Sequence, residues 1–236
     1  MGYQTIFKRY EIKYLLTREQ QARILEVMAP YMALDQYGRT TIRNIYFDTG
    51  NYRLIRRSRE KPVYKEKLRI RSYRQADPQS PVFVELKKKY DAVVYKRRLA
   101  MQERQAVDWI CGGAPCPVDC QIADEINYFM HYYDSLRPTV FLSYDRQAYF
   151  CRAGGDFRVT FDDNILCRQD ALSLETEIRG VPILEEDKVL MEIKTSGGIP
   201  LWMTHTLTRD KLFKTSFSKY GTAYETMIFN GGNAYV

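Results

Sequence analysis

The sequence predicts an α+β fold: a β-barrel of about eight strands, helices packed on its outside, and a helical segment towards the C-terminal end. Three features carry that expectation. The first is Tyr64 to Tyr73, YKEKLRIRSY, where Lys65, Lys67, Arg69 and Arg71 recur at every second residue and Leu68 and Ile70 fall between them. On a strand the four cations share one face and the apolar pair takes the other. The second is repetition of charge-x-charge spacing, in Glu11/Lys13, Lys67/Arg69/Arg71, Glu85/Lys87, Lys96/Arg98 and Glu192/Lys194. Any one such strand also fits an open sheet with a solvated face; five of them do so less easily. The third is that the opposite faces are often apolar, as an outer wall beneath helices requires.

Taken in order, Ile6 to Leu16 alternates as a strand and puts Glu11 and Lys13 on one face. Thr17 and Gln20 have the spacing of a capping box, and Ile24, Leu25 and Met28 form a helical stripe that stops at Pro30. Thr41 to Asp48 reads as a strand from its β-branched and aromatic content, and Asn51 to Arg59 as a basic helix. The cationic strand follows. Beyond the turn signal Asp77-Pro78-Gln79-Ser80-Pro81, Val82 to Lys88 sets Phe83, Glu85 and Lys87 against Val82, Val84 and Leu86. Asp91 starts a turn, and Ala92 to Leu99 carries Lys96 and Arg98 on one face. Met101 to Ile110 and Asp119 to Leu136 are helical in pattern. Thr139 to Phe150 is a long strand with Tyr144 and Arg146 in phase; Asp156 to Asp162 aligns Arg158, Thr160 and Asp162. Lys188 to Lys194 aligns Glu192 with Lys194, and the chain reads as helical from Pro200, with Ser218 as an N-cap before Lys219.

A chain of 236 residues that is 45% hydrophobic buries an ample core, and with no internal repeat or low-complexity linker a single domain over residues 1–236 is expected. Thirty-six Lys and Arg against 29 Asp and Glu give +7, which points to anionic partners. No apolar run approaches the ~20 residues that span a bilayer and the N-terminus lacks a signal-peptide core, so a cytoplasmic protein without an integral membrane segment is expected. The five cysteines include the spacing C-x4-C-x3-C with no nearby His, which reads as free thiols. Two histidines in helical contexts argue against a hydrolase built on a His base.

A barrel of this size fills its interior with side chains. Here the filling is Lys, Arg and Glu, which is unfavourable unless an anion and a metal complete the charge balance. Several Lys and Arg converge on phosphate oxygens, and the Glu residues make sense as ligands of Mg2+ or Mn2+ held jointly with phosphate. The arrangement suggests a tunnel.

Six motifs in sequence, Glu11-Ile12-Lys13, Leu68-Arg69-Ile70-Arg71, Val84-Glu85-Leu86-Lys87, Ser143-Tyr144-Asp145-Arg146, Glu192-Ile193-Lys194 and Ser218-Lys219-Tyr220, resemble the VTC domain. That domain is the catalytic module of vacuolar transporter chaperone polyphosphate polymerases, within the triphosphate tunnel metalloenzymes. The resemblance implies a closed antiparallel eight-stranded tunnel that transfers the γ-phosphate of ATP to inorganic polyphosphate and releases ADP. It implies a phosphate-binding set of Lys13, Lys67, Arg69, Arg71, Lys87, Lys96, Arg146 and Lys219, with Arg69, Arg71, Arg146, Lys87 and Glu192 at the reacting phosphate. Glu192 is the implied principal ligand of Mn2+ or Mg2+; Glu11, Glu85 and Asp162, further tunnel acids by phase, are the candidate additional ligands. Three residues before the late lysine, where the family pattern is basic, stands Ser216; Lys214 is the nearby substitute.

Phosphoryl transfer of this kind needs position and charge neutralisation more than a protein base. Two other readings share the residues: metal-dependent hydrolysis of tripolyphosphate or a nucleoside triphosphate, and binding of a polyanion without turnover. An acid-lined tunnel suits a metal-chelated triphosphate better than a nucleic acid backbone.

Overall fold

In the computed structural model, residues 6–91 and 93–229 are described. The chain runs β1 (Ile6–Thr17), α1 (Arg18–Met28), β2 (Met32–Asp48), α2 (Arg53–Arg59), β3 (Tyr64–Ser72), β4 (Pro81–Tyr90), β5 (Val93–Gln102), α3 (Glu103–Ile110) and α4 (Gln121–Tyr132). It continues with β6 (Arg137–Cys151), β7 (Arg158–Arg168), β8 (Val181–Pro182), β9 (Lys188–Thr195), α5 (Leu201–Arg209), β10 (Lys214–Thr215) and α6 (Lys219–Tyr224), which runs on into a π-helical turn, Glu225–Phe229.

Eight strands close on themselves. From β1 the hydrogen-bonded order is β5, β4, β3, β2, β6, β7 and β9, and β9 pairs back onto β1 along Tyr10–Thr17. Every pair is antiparallel. Closure leaves no long free edge, the usual liability of a sheet this wide. The two-residue β8 and β10 lie outside the ring, on β7 and β1.

Alternation then sorts the side chains. Leu68 and Ile70 of β3, Val82, Val84 and Leu86 of β4 and Leu99 and Met101 of β5 face outward under α3 and α4, packed with Trp109, Ile126 and Phe129. On the other flank α1 and α5 cover Leu16, Val159, Phe161, Val189, Met191 and Ile193 with Ile24, Met28, Met203 and Leu207. The predicted capping box at Thr17 and Gln20 is present and starts α1 over β1. Trp202 stacks on Tyr31 at 4.6 Å on the α5 side, a packing role.

A third cluster lies inside the ring. Ile42, Tyr46, Val140, Leu142 and Tyr144 face inward at the end of the barrel where α6 sits, and α6 fills that space with Tyr220, Ala223 and Tyr224. Asp48, fully buried at the end of β2, fixes this plug: it accepts from the backbone N–H groups of Thr49, Leu54 and Ile55, which starts α2, and from the Tyr220 hydroxyl at 2.8 Å.

Several boundaries differ from those expected. β2 begins at Met32 rather than Thr41, because the ladder to β6 resumes beyond a four-residue bulge. Met101 and Gln102 belong to β5, held by pairing to Val82 and Pro81, and helix begins only at Glu103. α4 is shorter than Asp119 to Leu136; Asp134 and Ser135 take positive φ and end it. β7 runs on to Arg168 because β6 supplies partners that far. The segment after Pro200 is not all helix: β10 interrupts it by pairing Lys214 and Thr215 with Tyr14 and Lys13. None of the described helices is long and apolar enough to cross a membrane.

Candidate functional site

The barrel encloses a cavity of about 1620 Å3 that follows the whole length of β3. Lys61 and Lys65 border it at one end, Tyr73 and Arg74 at the other. All four cations of the alternating strand line it, as do Lys87 and Lys89 of β4, Lys96 and Arg98 of β5, Arg146 of β6, Lys194 of β9 and Lys219 of α6. The inward phase read from the sequence is therefore the phase the fold uses. Lys96 and Arg98, which a solvated edge would also have accommodated, point into the barrel.

The carboxylates inside hold these cations in three groups. Glu85, fully buried, accepts from Arg69 Nε and Nη2 at 2.8 and 2.6 Å and from Lys96 Nζ at 3.1 Å, with Arg71 and Arg98 each at 3.8 Å. The arginine forks are steadied from behind: Arg69 donates to the Tyr46 hydroxyl at 2.8 Å, and Arg71 to Asn44 Oδ1 at 2.9 Å and the Tyr144 hydroxyl at 3.0 Å. Asp162, also fully buried, is held bidentately by Arg146 at 2.6 Å and by Lys219 at 2.5 Å. Beside it Glu192 meets Lys194 at 2.9 Å and Lys13, Arg146 and Lys219 at 3.5 Å each. Glu11 accepts from Lys87 Nζ at 2.6 Å.

Carboxylates are too few for this wall. Among the described residues, Lys13, Lys65, Lys67, Arg69, Arg71, Lys87, Lys89, Lys96, Arg98, Arg146, Lys194 and Lys219 are twelve cations against the four acids Glu11, Glu85, Asp162 and Glu192, a formal excess of +8. Lys67 Nζ donates to the Ser218 hydroxyl at 3.0 Å and Lys65 Nζ to the Ser58 carbonyl at 3.2 Å, and among the described residues no carboxylate pairs with either.

Titration follows the imbalance. Burial, aided by Lys13 and Lys87, holds the Lys67 amine well below its usual range. Burial draws Lys96 down to about 7 despite Glu85, and Lys194 to about 8 despite Glu192. The acids move the opposite way from what burial dictates. Burial would raise Glu85, but Arg71, Arg69 and Lys96 hold it well below the carboxylate range; Lys194, Lys219 and Lys13 do the same to Glu192. Glu11, raised by burial but drawn down by Lys87, lies at about 2. Lys219 is the contrary case: burial lowers it, Asp162 and Glu192 outweigh burial, and it stays firmly charged.

Among the described residues no three His, Cys, Asp or Glu side chains gather as a metal cage. Glu85 and Asp162, expected as candidate additional metal ligands, are enclosed by cations with no exposed oxygen. We assign them as fixed counter-ions. Glu192 and Glu11 remain, on the paired strands β9 and β1, both lining the cavity. Two hard oxygen donors beside an anion site fit Mg2+ or Mn2+, which commonly take one or two carboxylates and complete their shell with phosphate oxygens and water.

Of the expected phosphate set, Lys13, Lys67, Arg69, Arg71, Lys87, Lys96, Arg146 and Lys219 all reach the cavity. Lys219 arrives there because Ser218 caps α6, accepting from the Gly221 N–H at 3.2 Å, and so points the first turn inward. Lys214 does not substitute for Ser216: it is exposed, lies opposite the outward Tyr14 and does not line the cavity, whereas Ser216 does. Lys194 and Tyr46 also line the cavity, beyond the set expected from the sequence. For Lys194 the signal was present in its phase with Glu192; for Tyr46 nothing local marks it, since its role rests on pairing opposite Arg69.

The VTC domain family model matches residues 8–228. Solved structures of similar architecture include a candidate adenylate cyclase from Bacillus halodurans, 14% identical with a TM-score of 0.57, covering 91% of this chain and 96% of that one. Another is a candidate adenylyl cyclase from Hippeastrum with a dominant triphosphatase activity, 16% identical with a TM-score of 0.55, covering 95% and 96%. At these identities the likeness is one of fold. No curated protein matches the chain significantly.

Two outcomes follow from the charge distribution. Glu85→Gln leaves four clustered cations without their carboxylate and is expected to lower stability by about 3–5 kcal/mol in urea unfolding; a loss under about 1 kcal/mol contradicts the counter-ion role. Lys96 and Lys194, drawn down to about 7 and about 8, regain their charge when an anion binds. Tripolyphosphate binding at about pH 8 should therefore take up protons, and affinity should fall as pH rises through this range. Calorimetry in two buffers of different ionisation enthalpy reads the uptake; proton release would contradict it.

Proposed function

Because this chain belongs to the VTC domain family, we propose that it is a metal-dependent inorganic polyphosphate polymerase, moving the γ-phosphate of ATP onto a polyphosphate chain and releasing ADP. The observation that carries the reading is the uncompensated positive wall of a cavity that runs the length of a barrel strand. A linear polyphosphate is an anion of repeating charge and small cross-section, and it matches such a wall better than a compact ligand does.

In this reading Arg69, Arg71 and Arg146 hold equatorial oxygens of the transferring phosphoryl group with Lys87, and their forks are already oriented by Glu85, Asp162, Tyr46 and Tyr144. Such preorganised donors stabilise developing charge without reorganising. Lys13, Lys67, Lys96 and Lys219 hold the flanking phosphates. The nucleophile is a terminal oxygen of the polyphosphate; its bond to the γ-phosphorus forms as the bond from that phosphorus to the β-bridging oxygen breaks, and the electron pair leaves with ADP. That oxygen is already ionised, so no protein base takes a proton. Glu192, with Glu11, would hold Mn2+ or Mg2+, which when bound neutralises phosphate charge. The sparse histidine content is consistent with this chemistry.

Purified protein incubated with ATP and Mn2+ is expected to yield ADP and acid-stable polyphosphate in step. Arg69→Ala and Glu192→Ala should each lower that yield by about a hundredfold or more, the scale of losing one charge-stabilising group. Free phosphate without polymer would replace transfer with hydrolysis, and tight polyphosphate binding without turnover would leave a binding module.

A further inference from the structure

β2 does not run smoothly past the cavity. Leu34 pairs with Tyr149 of β6, but the next pair is Arg39 with Gln147, so Asp35, Gln36, Tyr37 and Gly38 bulge out of the ladder. Bulges of this kind at a barrel rim re-aim side chains. This one is fixed by three local features: the Tyr37 N–H donates to Asp35 Oδ1 at 3.0 Å, the Thr40 hydroxyl donates to the Tyr37 carbonyl at 3.1 Å, and Gly38 takes φ +60°, where other residues are strained. The product is a tyrosine that is 68% exposed and borders the cavity.

The other aromatic rings around the cavity are engaged. Tyr46 stacks on Tyr220 at 4.9 Å, Tyr224 packs edge-on to Tyr52, Tyr73 packs against Phe83 beneath Arg98, and Tyr144 lies beneath Arg146 and Lys219. Phe217 packs against the cluster around α6. Among the described residues the Tyr37 ring has no such partner. Its position suits one. Thr40 pairs with Arg146, and the bulge sets Tyr37 just beyond that pair, on the rim of the same cavity.

We propose that Tyr37 is the platform on which the base of the nucleoside triphosphate donor stacks, so that this mouth of the tunnel admits the nucleotide with its phosphates directed towards Arg146. The assignment rests on the polymerase reading. It adds that discrimination between a nucleotide and a bare polyphosphate resides in the β2 bulge, outside the cationic wall. Tyrosine gives a rigid, sequence-tolerant stacking face, and Asp35 beside it leaves a carboxylate oxygen for an exocyclic amine.

Calorimetric titration with the β,γ-imido analogue of ATP and, separately, with inorganic tripolyphosphate tests this on the intact chain and on Tyr37→Ala and Tyr37→Trp. Tyr37→Ala should weaken the nucleotide analogue about tenfold and leave tripolyphosphate within about twofold; Tyr37→Trp should bind the analogue at least as tightly as the unaltered protein. Equal weakening of both ligands, or no change for the analogue, overturns the platform while leaving the tunnel reading intact. Failure of the unaltered protein to bind tripolyphosphate at all overturns the polymerase reading and the platform with it.

Discussion

Glu85 accepts from Arg69 and Lys96 and has Arg71 and Arg98 within 3.8 Å, yet none of its surface reaches water. One carboxylate so placed binds together four strand residues that would otherwise repel across β3 and β5. Asp162 does the same for Arg146 and Lys219 on the opposite wall. These two acids make it possible to close a barrel around cations at all. They are also too few to neutralise what they enclose. Low-dielectric surroundings strengthen both effects: the pairs that form are strong, and the charge left over is unfavourable until an anion arrives. The fold is thus stable enough to hold its arginine forks in place and incomplete enough to attract phosphate.

The outside of the barrel serves the same end. Leu68, Ile70, Val84 and Leu86 alternate with the cations of β3 and the ions of β4, and α3 and α4 seal them from solvent. The wall is therefore rigid where the charges are densest. At one end α6 closes the inner face with Tyr220, Ala223 and Tyr224, fixed by Asp48, while its first residue delivers Lys219 to Asp162 and Glu192. The same short helix is plug and ligand, and it depends on contacts 172 residues apart in the chain.

Much of this was legible in the sequence, for a simple reason. Alternation of period two states which face a residue takes, and a one-residue error would reverse every assignment; hence Lys65, Lys67, Arg69, Arg71, Glu85, Lys87, Lys96 and Glu192 all face inward as expected. Phase does not state depth. Nothing local distinguishes Glu85 and Asp162, which are buried counter-ions, from Glu11 and Glu192, which border the cavity, because the difference lies in which strands pair opposite them. The β2 bulge was invisible for a related reason: Asp35 to Gly38 has turn composition, and only the resumption of the ladder beyond it shows that the strand continues. Lys214 misled because sequence proximity to Ser216 stood in for orientation, which β10 pairing reverses.

The central claim is that the excess positive charge inside the barrel is completed by a linear polyphosphate. A crystal structure grown with inorganic tripolyphosphate and Mn2+ tests it most directly. Phosphorus atoms are expected inside the ring, with oxygens within hydrogen-bond distance of Arg69, Arg71, Lys87 and Arg146 and Mn2+ beside Glu192. Phosphate bound only on the outer surface, with the ring interior holding water alone, would contradict it.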